Sequence, residues 1–263
     1  MIALDDKVCI VTGALGLIGR ELVRGVIDHG GRAVLADLDH GVCVDLAHPF
    51  GERAMGFGVD ITEADSLEAL LDAVRTRFGQ VDVLVNNAAV DDKFAMSAPD
   101  ESRFEHYALD RWQRMLDTNL TGTFLACQVI GSALAEQKRG SIINVASTYG
   151  IVAPDQSLYR RADGTQMFWK AAAYPVTKAG VLGLTRYLAS YWGAANVRVN
   201  ALSPGGVENG QHDEFVARYC ARTPLGRMAT ANDYTGALAF LASDASAYMT
   251  GANLVVDGGF TVW

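Results

Sequence analysis

Four scattered cysteines, six prolines and no apolar stretch long enough to span a bilayer define what this 263-residue chain is not. Cys9, Cys43, Cys127 and Cys220 show neither redox nor zinc spacing, so reduced structural thiols are expected and no metal site is read from them. Basic residues are also few. With 22 Lys and Arg against 30 Asp and Glu, the formal charge is −8, and no basic stripe offsets it. That balance argues against nucleic acid or an anionic membrane as the main partner. Asp5 and Asp6 stand where a secretory signal carries bases, and the apolar segment at 8–11 is too short for a signal core, so a cytoplasmic location is expected. No low-complexity linker divides the chain and no repeat interrupts it, so one domain over 1–263 is the economical reading.

What the chain does have is apolar content, 50% against 20% charged residues, enough for a well-filled core. Short β-branched runs alternate with longer amphipathic stretches, the pattern of repeated βαβ units. Strands are expected at 7–12, 32–36, 54–59, 81–85, 141–145, 197–202 and 253–256. Helices are expected at 17–29, 66–78, 110–136 and 174–192, with a loop over 88–106. The fold class is therefore α/β: a doubly wound Rossmann arrangement with a seven-stranded, mostly parallel sheet and helices on both faces.

Between the first strand and first helix stands Thr12-Gly13-Ala14-Leu15-Gly16-Leu17-Ile18-Gly19. Glycines there allow a tight turn and close approach of backbone to a pyrophosphate, whose charge is met by the helix N-terminus. In other contexts such a cluster is simply a turn. Asp37 ends the second strand, placed to accept hydrogen bonds from both hydroxyls of an adenosine ribose and to repel a 2′-phosphate. NAD is therefore expected over NADP; the alternative for Asp37 is a turn or helix cap, since Asp39 follows. Tyr174 and Lys178 stand four apart, which in a helix puts phenol and ammonium on one face. About 0.2 such pairs are expected by chance in this composition, so the pair gains its meaning only from the rest. A tyrosine titrates near pH ~10, and a nearby cation could supply part of the stabilisation needed to bring it towards neutrality.

Together these landmarks resemble the short-chain dehydrogenase/reductase family over essentially the whole chain. Asp60-Ile61, Asn86-Asn87-Ala88-Ala89, Asn119, Ser147, Tyr174 with Lys178, and Pro204-Gly205 fall in the family's order. The resemblance implies NAD contacts from Gly13, Leu15, Gly16, Leu17, Ile18 and Gly19 at the turn and from Asp37 and Leu38 at the adenosine. It implies further contacts from Asp60, Ile61, Asn87, Ala88 and Ala89, and from Tyr174, Lys178, Pro204, Gly205, Val207 and Asn209 around the nicotinamide. It implies a catalytic four: Tyr174 as general acid/base, Lys178 lowering its pKa, Ser147 holding the substrate oxygen and Asn119 supporting a proton-carrying water chain. Each has a plainer reading, Ser147 as a loop hydroxyl and Asn119 as a helix residue bonded to backbone.

The chain departs from the family pattern in three places. Glycines 13, 16 and 19 follow the spacing of the extended branch, with Leu17 where the classical branch has glycine, whereas the catalytic landmarks and the length are classical. Ser147 and Tyr174 lie 27 residues apart, about twice the usual interval, so 148–173 is read as an active-site insertion. Its Arg160, Arg161 and Lys170 with Tyr159, Phe168 and Trp169 suit an anionic or sugar-like substrate, with Ser147, Tyr149 and Tyr174 beside them; a surface flap or subunit contact is the alternative. Asn209 replaces a common threonine within a substrate-loop region at 204–222. The insertion and the ending look similar to reductases of bacterial cell-surface sugars.

The resulting expectation is an NAD-dependent oxidoreductase that interconverts a secondary alcohol and a ketone on a small polar substrate, a polyol, sugar, hydroxy acid or cell-surface sugar precursor. The other readings are a nucleotide-sugar epimerase or dehydratase with tightly held NAD, and a non-catalytic NAD-binding regulatory protein. Apolar surface on the long helix and the aromatic C-terminus point to a homo-oligomer, tetramer or dimer.

Overall fold

A computed structural model describes residues 2–94 and 99–263, so residues 95–98 of the expected 88–106 loop lie outside the described set. Seven strands form one sheet in the order β3-β2-β1-β4-β5-β6-β7. They are β1 Val8–Thr12, β2 Arg32–Asp37, β3 Ala54–Gly58, β4 Val83–Asn86, β5 Gly140–Val145, β6 Val197–Pro204 and β7 Asn253–Val256. Every strand pair is parallel, a step beyond the mostly parallel sheet expected. The order reverses between β1 and β4, which opens a crevice at the carboxyl ends of the strands, where such sheets bind ligands.

A parallel sheet covered on both faces needs strands that are apolar throughout, and alternation divides them between two cores. From β1, Val8 and Ile10 point into one core with Leu67 and Leu70 of helix α3 (Ala64–Phe78) and with Leu188 and Trp192 of helix α7 (Ala173–Trp192). Cys9 and Val11 point into the other, with Val23 and Val26 of helix α1 (Leu17–Asp28) and Leu238 and Leu241 of helix α9 (Thr235–Ala242). Each fully buried aliphatic side chain contributes about 1.5–3 kcal/mol relative to exposure, so both layers are needed to fix the sheet.

Helices α2 (His40–Ala47), α8 (Asp213–Arg222) and α9 occupy stretches to which the sequence reading assigned no helix, α8 falling within the region read as a substrate loop at 204–222. The long helix expected at 110–136 is present, but its hydrogen bonding changes along its length. Three α-helical pieces, α4 (Leu109–Leu116), α5 (Gly122–Ala126) and α6 (Ser132–Glu136), are joined by π-turns at Asp117–Thr121 and Cys127–Gly131. Such turns widen the helix locally and re-aim side chains, and the first contains Asn119. At the start of α5, Gly122 lets Ile61 pack against the helix; a Cβ there would sit 2.7 Å from Ile61 Cδ1.

Segment 148–173 is packed down rather than free. Leu158 and Tyr159 are buried with Tyr219, Met228 and Phe260, and Tyr149, Phe168 and Phe215 close the same cluster. Ser102 Oγ accepts the Trp169 N–H at 2.8 Å, and Arg103 lies 5.4 Å over the Trp169 ring. No helix among the described residues is long and apolar enough to cross a membrane.

Candidate active site

The crevice at the sheet reversal is a cavity of about 1110 Å³ that runs from Asp37 past the glycine turn to Tyr174. The turn after β1 is locked to the turn after β4. Thr12 Oγ1 accepts the N–H groups of Asn87 and Ala88, both at 3.1 Å, and the Asn87 amide donates to Thr12 O and Gly13 O, both at 3.0 Å. Gly13 has φ +64, and a Cβ there would lie 2.6 Å from Ala88 Cα. A Cβ on Gly19 would come within 2.1 Å of Gly13 O, so glycine is required at both places. Gly16 precedes α1 with no side-chain cap, leaving the first N–H groups of the helix directed at the cavity that Gly16, Leu17 and Ile18 line. This uncapped N-terminus fits a pyrophosphate. Leu17, the departure from the classical spacing, is 45% exposed at the mouth and so displaces nothing in the turn.

Asp37 accepts the Leu15 N–H at 2.9 Å and the Leu38 N–H at 2.8 Å, which aims its carboxylate while leaving lone pairs for a ligand. Leu15 acts through that bond and does not line the cavity, whereas Leu38 lines it with 73% exposure. Asp60 accepts from Thr62 N–H at 2.9 Å and Thr62 Oγ1 at 2.7 Å, and Asp60, Ile61, Ala88 and Ala89 form the adjoining wall. At the far end, Gly205 N–H donates to Val256 O at 2.9 Å, and Tyr219 Oη accepts from Gly206 N–H at 2.6 Å, which fixes the turn holding Pro204, Gly205 and Val207 against the cavity. Asn209 is exposed and is not in the wall; its N–H donates to Gln211 Oε1 at 2.7 Å, and it is Gln211 that lines the cavity.

Tyr174 and Lys178 occupy the first turns of α7, and β5 delivers Ser147 beside them. Lys178 is 3% exposed and donates from Nζ to Val145 O at 2.7 Å, with Nζ 5.8 Å from the Tyr174 ring centroid. Burial pulls its ammonium down to about 8. In this arrangement the Tyr174 phenol is not drawn towards neutrality. Burial is the largest influence and pushes Tyr174 up from its ordinary value, the Asp91 carboxylate adds to it, and a hydrogen bond with Ser147 pulls the other way.

Asn119 is outside the cavity wall and 1% exposed. It accepts the Val90 N–H at 2.7 Å, donates to Val90 O at 2.9 Å and reaches Thr177 Oγ1 at 3.3 Å, tying the loop after β4 to α7.

Segment 148–173 lines the cavity with Tyr149, Tyr159, Phe168 and Lys170, the two tyrosine hydroxyls 3.0 Å apart. Burial raises the pKa of both phenols, so they are neutral hydrogen-bonding groups at ordinary pH. Arg160 and Arg161 are not brought to the cavity. Both are exposed, Arg160 donating to Gln166 Oε1 at 3.0 Å across the isolated bridge between those residues. Asp91 is a wall residue that the sequence reading missed, because its partner in the wall, Lys170, is 79 positions away.

With this geometry in hand, comparison with known proteins is specific. A family model described as enoyl-(acyl carrier protein) reductase matches residues 13–261. D-threitol dehydrogenase of Mycolicibacterium smegmatis is 37% identical over 98% of this chain and 94% of its own. A short-chain dehydrogenase structure from Leptospira borgpetersenii with bound NAD+ superposes with TM-score 0.86 at 31% identity, covering 98% of this chain and 94% of that one. A gluconate 5-dehydrogenase from Burkholderia cenocepacia, in complex with NADP and tartrate, gives TM-score 0.86 at 28% identity, covering 100% and 98% of the two chains.

Proposed function

The chain belongs to the short-chain dehydrogenase/reductase family of NAD(P)-dependent oxidoreductases, and on that premise we propose that it oxidises a secondary alcohol of a small polyol-like substrate with NAD. The observation that carries the reading is the meeting of Ser147, Tyr174 and Lys178 at one end of a cavity whose other end is Asp37.

Bound NAD would supply the acceptor for the hydride that leaves the alcohol carbon. Gly13, Gly16 and the N–H groups at the start of α1 would receive the pyrophosphate, and Asp37 would take the adenosine ribose hydroxyls. Asp37 opposes a 2′-phosphate by charge, and the next residue, Leu38, offers no cation to compensate, which supports NAD over NADP. Ser147 Oγ, at 8% exposure, orients the substrate oxygen, and Tyr174 removes its proton. Because burial and Asp91 hold the phenol up, the positive charge needed to favour phenolate comes from Lys178 and from the oxidised nicotinamide when it is bound. Asn119 acts one step back, fixing the Val90 backbone and Thr177 beside the catalytic pair. The closed packing of segment 148–173 supports a cavity walled against bulk water at the catalytic end.

The kinship with a D-threitol dehydrogenase supports a polyol, and so do the charges of the wall: six carboxylates and three cations line the cavity, which disfavours an anionic substrate. We propose also that the chain forms a homotetramer, since Tyr187, Tyr191, Tyr248 and Trp263 are all more than half exposed. The functional reading is tested by incubating the protein with NAD and D-threitol, glycerol or xylitol and following NADH. Stoichiometric NADH with cofactor released on dilution is expected. Product formed without net NADH, on cofactor that stays bound, would instead identify an epimerase or dehydratase.

A further inference from the structure

The inserted segment contributes one ionised group to the wall, and it is a lysine rather than the arginines. Lys170 Nζ stands 4.6 Å from the centroid of the Tyr174 ring and is ion-paired with Asp91, the lysine side chain 13% exposed and the aspartate 43%. The backbone that carries the pair is anchored on both sides. Lys170 N–H donates to Gln156 Oε1 at 2.8 Å, and Gln156 Nε2 donates to Lys170 O at 3.1 Å. On the other side the neighbouring Asp92, its side chain 1% exposed, accepts from Arg114 at 2.7 Å and from the Tyr107 hydroxyl. A preorganised group of this kind can select ligands, because little freedom is lost on contact.

Its chemistry is that of a neutral unit. The two charges cancel, so a substrate carboxylate gains little from Lys170 and meets Asp91. An ammonium has three donors and a carboxylate about four acceptor sites, and their mutual contact uses only part of each. A hydroxyl, donor and acceptor at once, can engage both. The reach is also right. An oxygen bonded to Tyr174 sits about 2.7 Å from the phenol oxygen, and the hydroxyl on the adjoining carbon falls within range of an ammonium lying over the same ring.

We propose that the Asp91–Lys170 pair is a specificity-determining clamp for the hydroxyl next to the one oxidised, so that the site selects vicinal polyols over lone secondary alcohols. The inference rests on Tyr174 being the acid/base of the reading above. The raised pKa of Tyr149 and Tyr159, to which Asp91 contributes, is consistent with its charge reaching the substrate space.

D-threitol and butan-2-ol share a four-carbon skeleton and differ in the extra hydroxyls, which makes their kcat/KM ratio the readout. In Asp91→Asn and Lys170→Met the ratio is expected to fall more than fivefold, chiefly through KM for threitol, while Lys170→Arg retains most of it. A fall of less than fivefold in both, including the case where both substrates decline together as for a merely structural latch, overturns the clamp. Wild-type protein that oxidises butan-2-ol better than threitol overturns the clamp and leaves the dehydrogenase reading standing. Wild-type protein that forms no NADH with any alcohol removes both.

Discussion

At the scale of single residues the site depends on charges placed where burial magnifies them. In the proposed reading Asp37 sets cofactor choice. Its carboxylate is aimed by two backbone N–H groups, and placing a 2′-phosphate against it sets like charges together at a cost of several kcal/mol. Asp37→Ser is therefore expected to raise the NADP-to-NAD ratio of kcat/KM at least about tenfold, a change worth about 1.4 kcal/mol. An unchanged ratio in steady-state kinetics would remove Asp37 from the account. The placement of Asp37 and the glycine turn at the cavity was legible in the sequence because it follows from position relative to one strand and one helix. Lys170 and Asp91 were not, since composition places arginines and a lysine in the same segment without telling which of them face inward. Both arginines are exposed, Arg160 beside Gln166 across the bridge that joins them.

At the scale of elements, loops after β1, β4 and β5 build the site, and the long helix holds them in place. The π-turn at Asp117–Thr121 presents Asn119 to both backbone groups of Val90. Asn119→Ala leaves the part-buried N–H and C=O of Val90 without their side-chain partner, at a cost of up to about 1–3 kcal/mol each. A fall of several degrees in melting temperature and weaker NAD binding are expected from calorimetry. Unaltered melting would mean that the loop after β4 is held by other contacts. Helical periodicity in the sequence located this helix to within a residue or so, but not its π-turns, which depend on packing rather than on local propensity. Helix α9 escaped notice for the opposite reason: Thr235–Ala242 is apolar nearly all round and carries no amphipathic signal.

At the scale of the whole molecule, burial of neutral acids governs the response to alkali. The thiols of Cys9, Cys43 and Cys127 are raised above their ordinary 9.0 by burial, Cys43 to about 11 and Cys127 to about 12. Burial likewise raises the tyrosines at 107, 149, 159, 174, 219 and 234 above 10.0. A raised folded-state pKa gives stability that is complete below the unfolded value and is lost as pH climbs towards the folded one. Lys178, lowered from 10.5 to about 8, acts in the other direction, adding stability between those values. One lysine is outweighed by nine acids, so the urea midpoint is expected to fall between pH 8.5 and 10.5; a rising midpoint would contradict this. The seven strands and the helical cover on both faces follow from patterning that the sequence displays openly, whereas the strand order is set by long-range packing. Assembly does not follow from such patterning, and the proposed tetramer predicts a light-scattering mass near four times 28.1 kDa.

The central claim is that Tyr174 performs the proton transfer. Tyr174→Phe removes one oxygen and keeps the ring that Lys170 and Lys178 pack against, so folding and NAD binding should persist. With NAD and D-threitol, kcat is expected to fall at least about 100-fold, the scale of general acid–base catalysis. A variant that binds NAD and retains kcat within tenfold of the wild type would contradict the account.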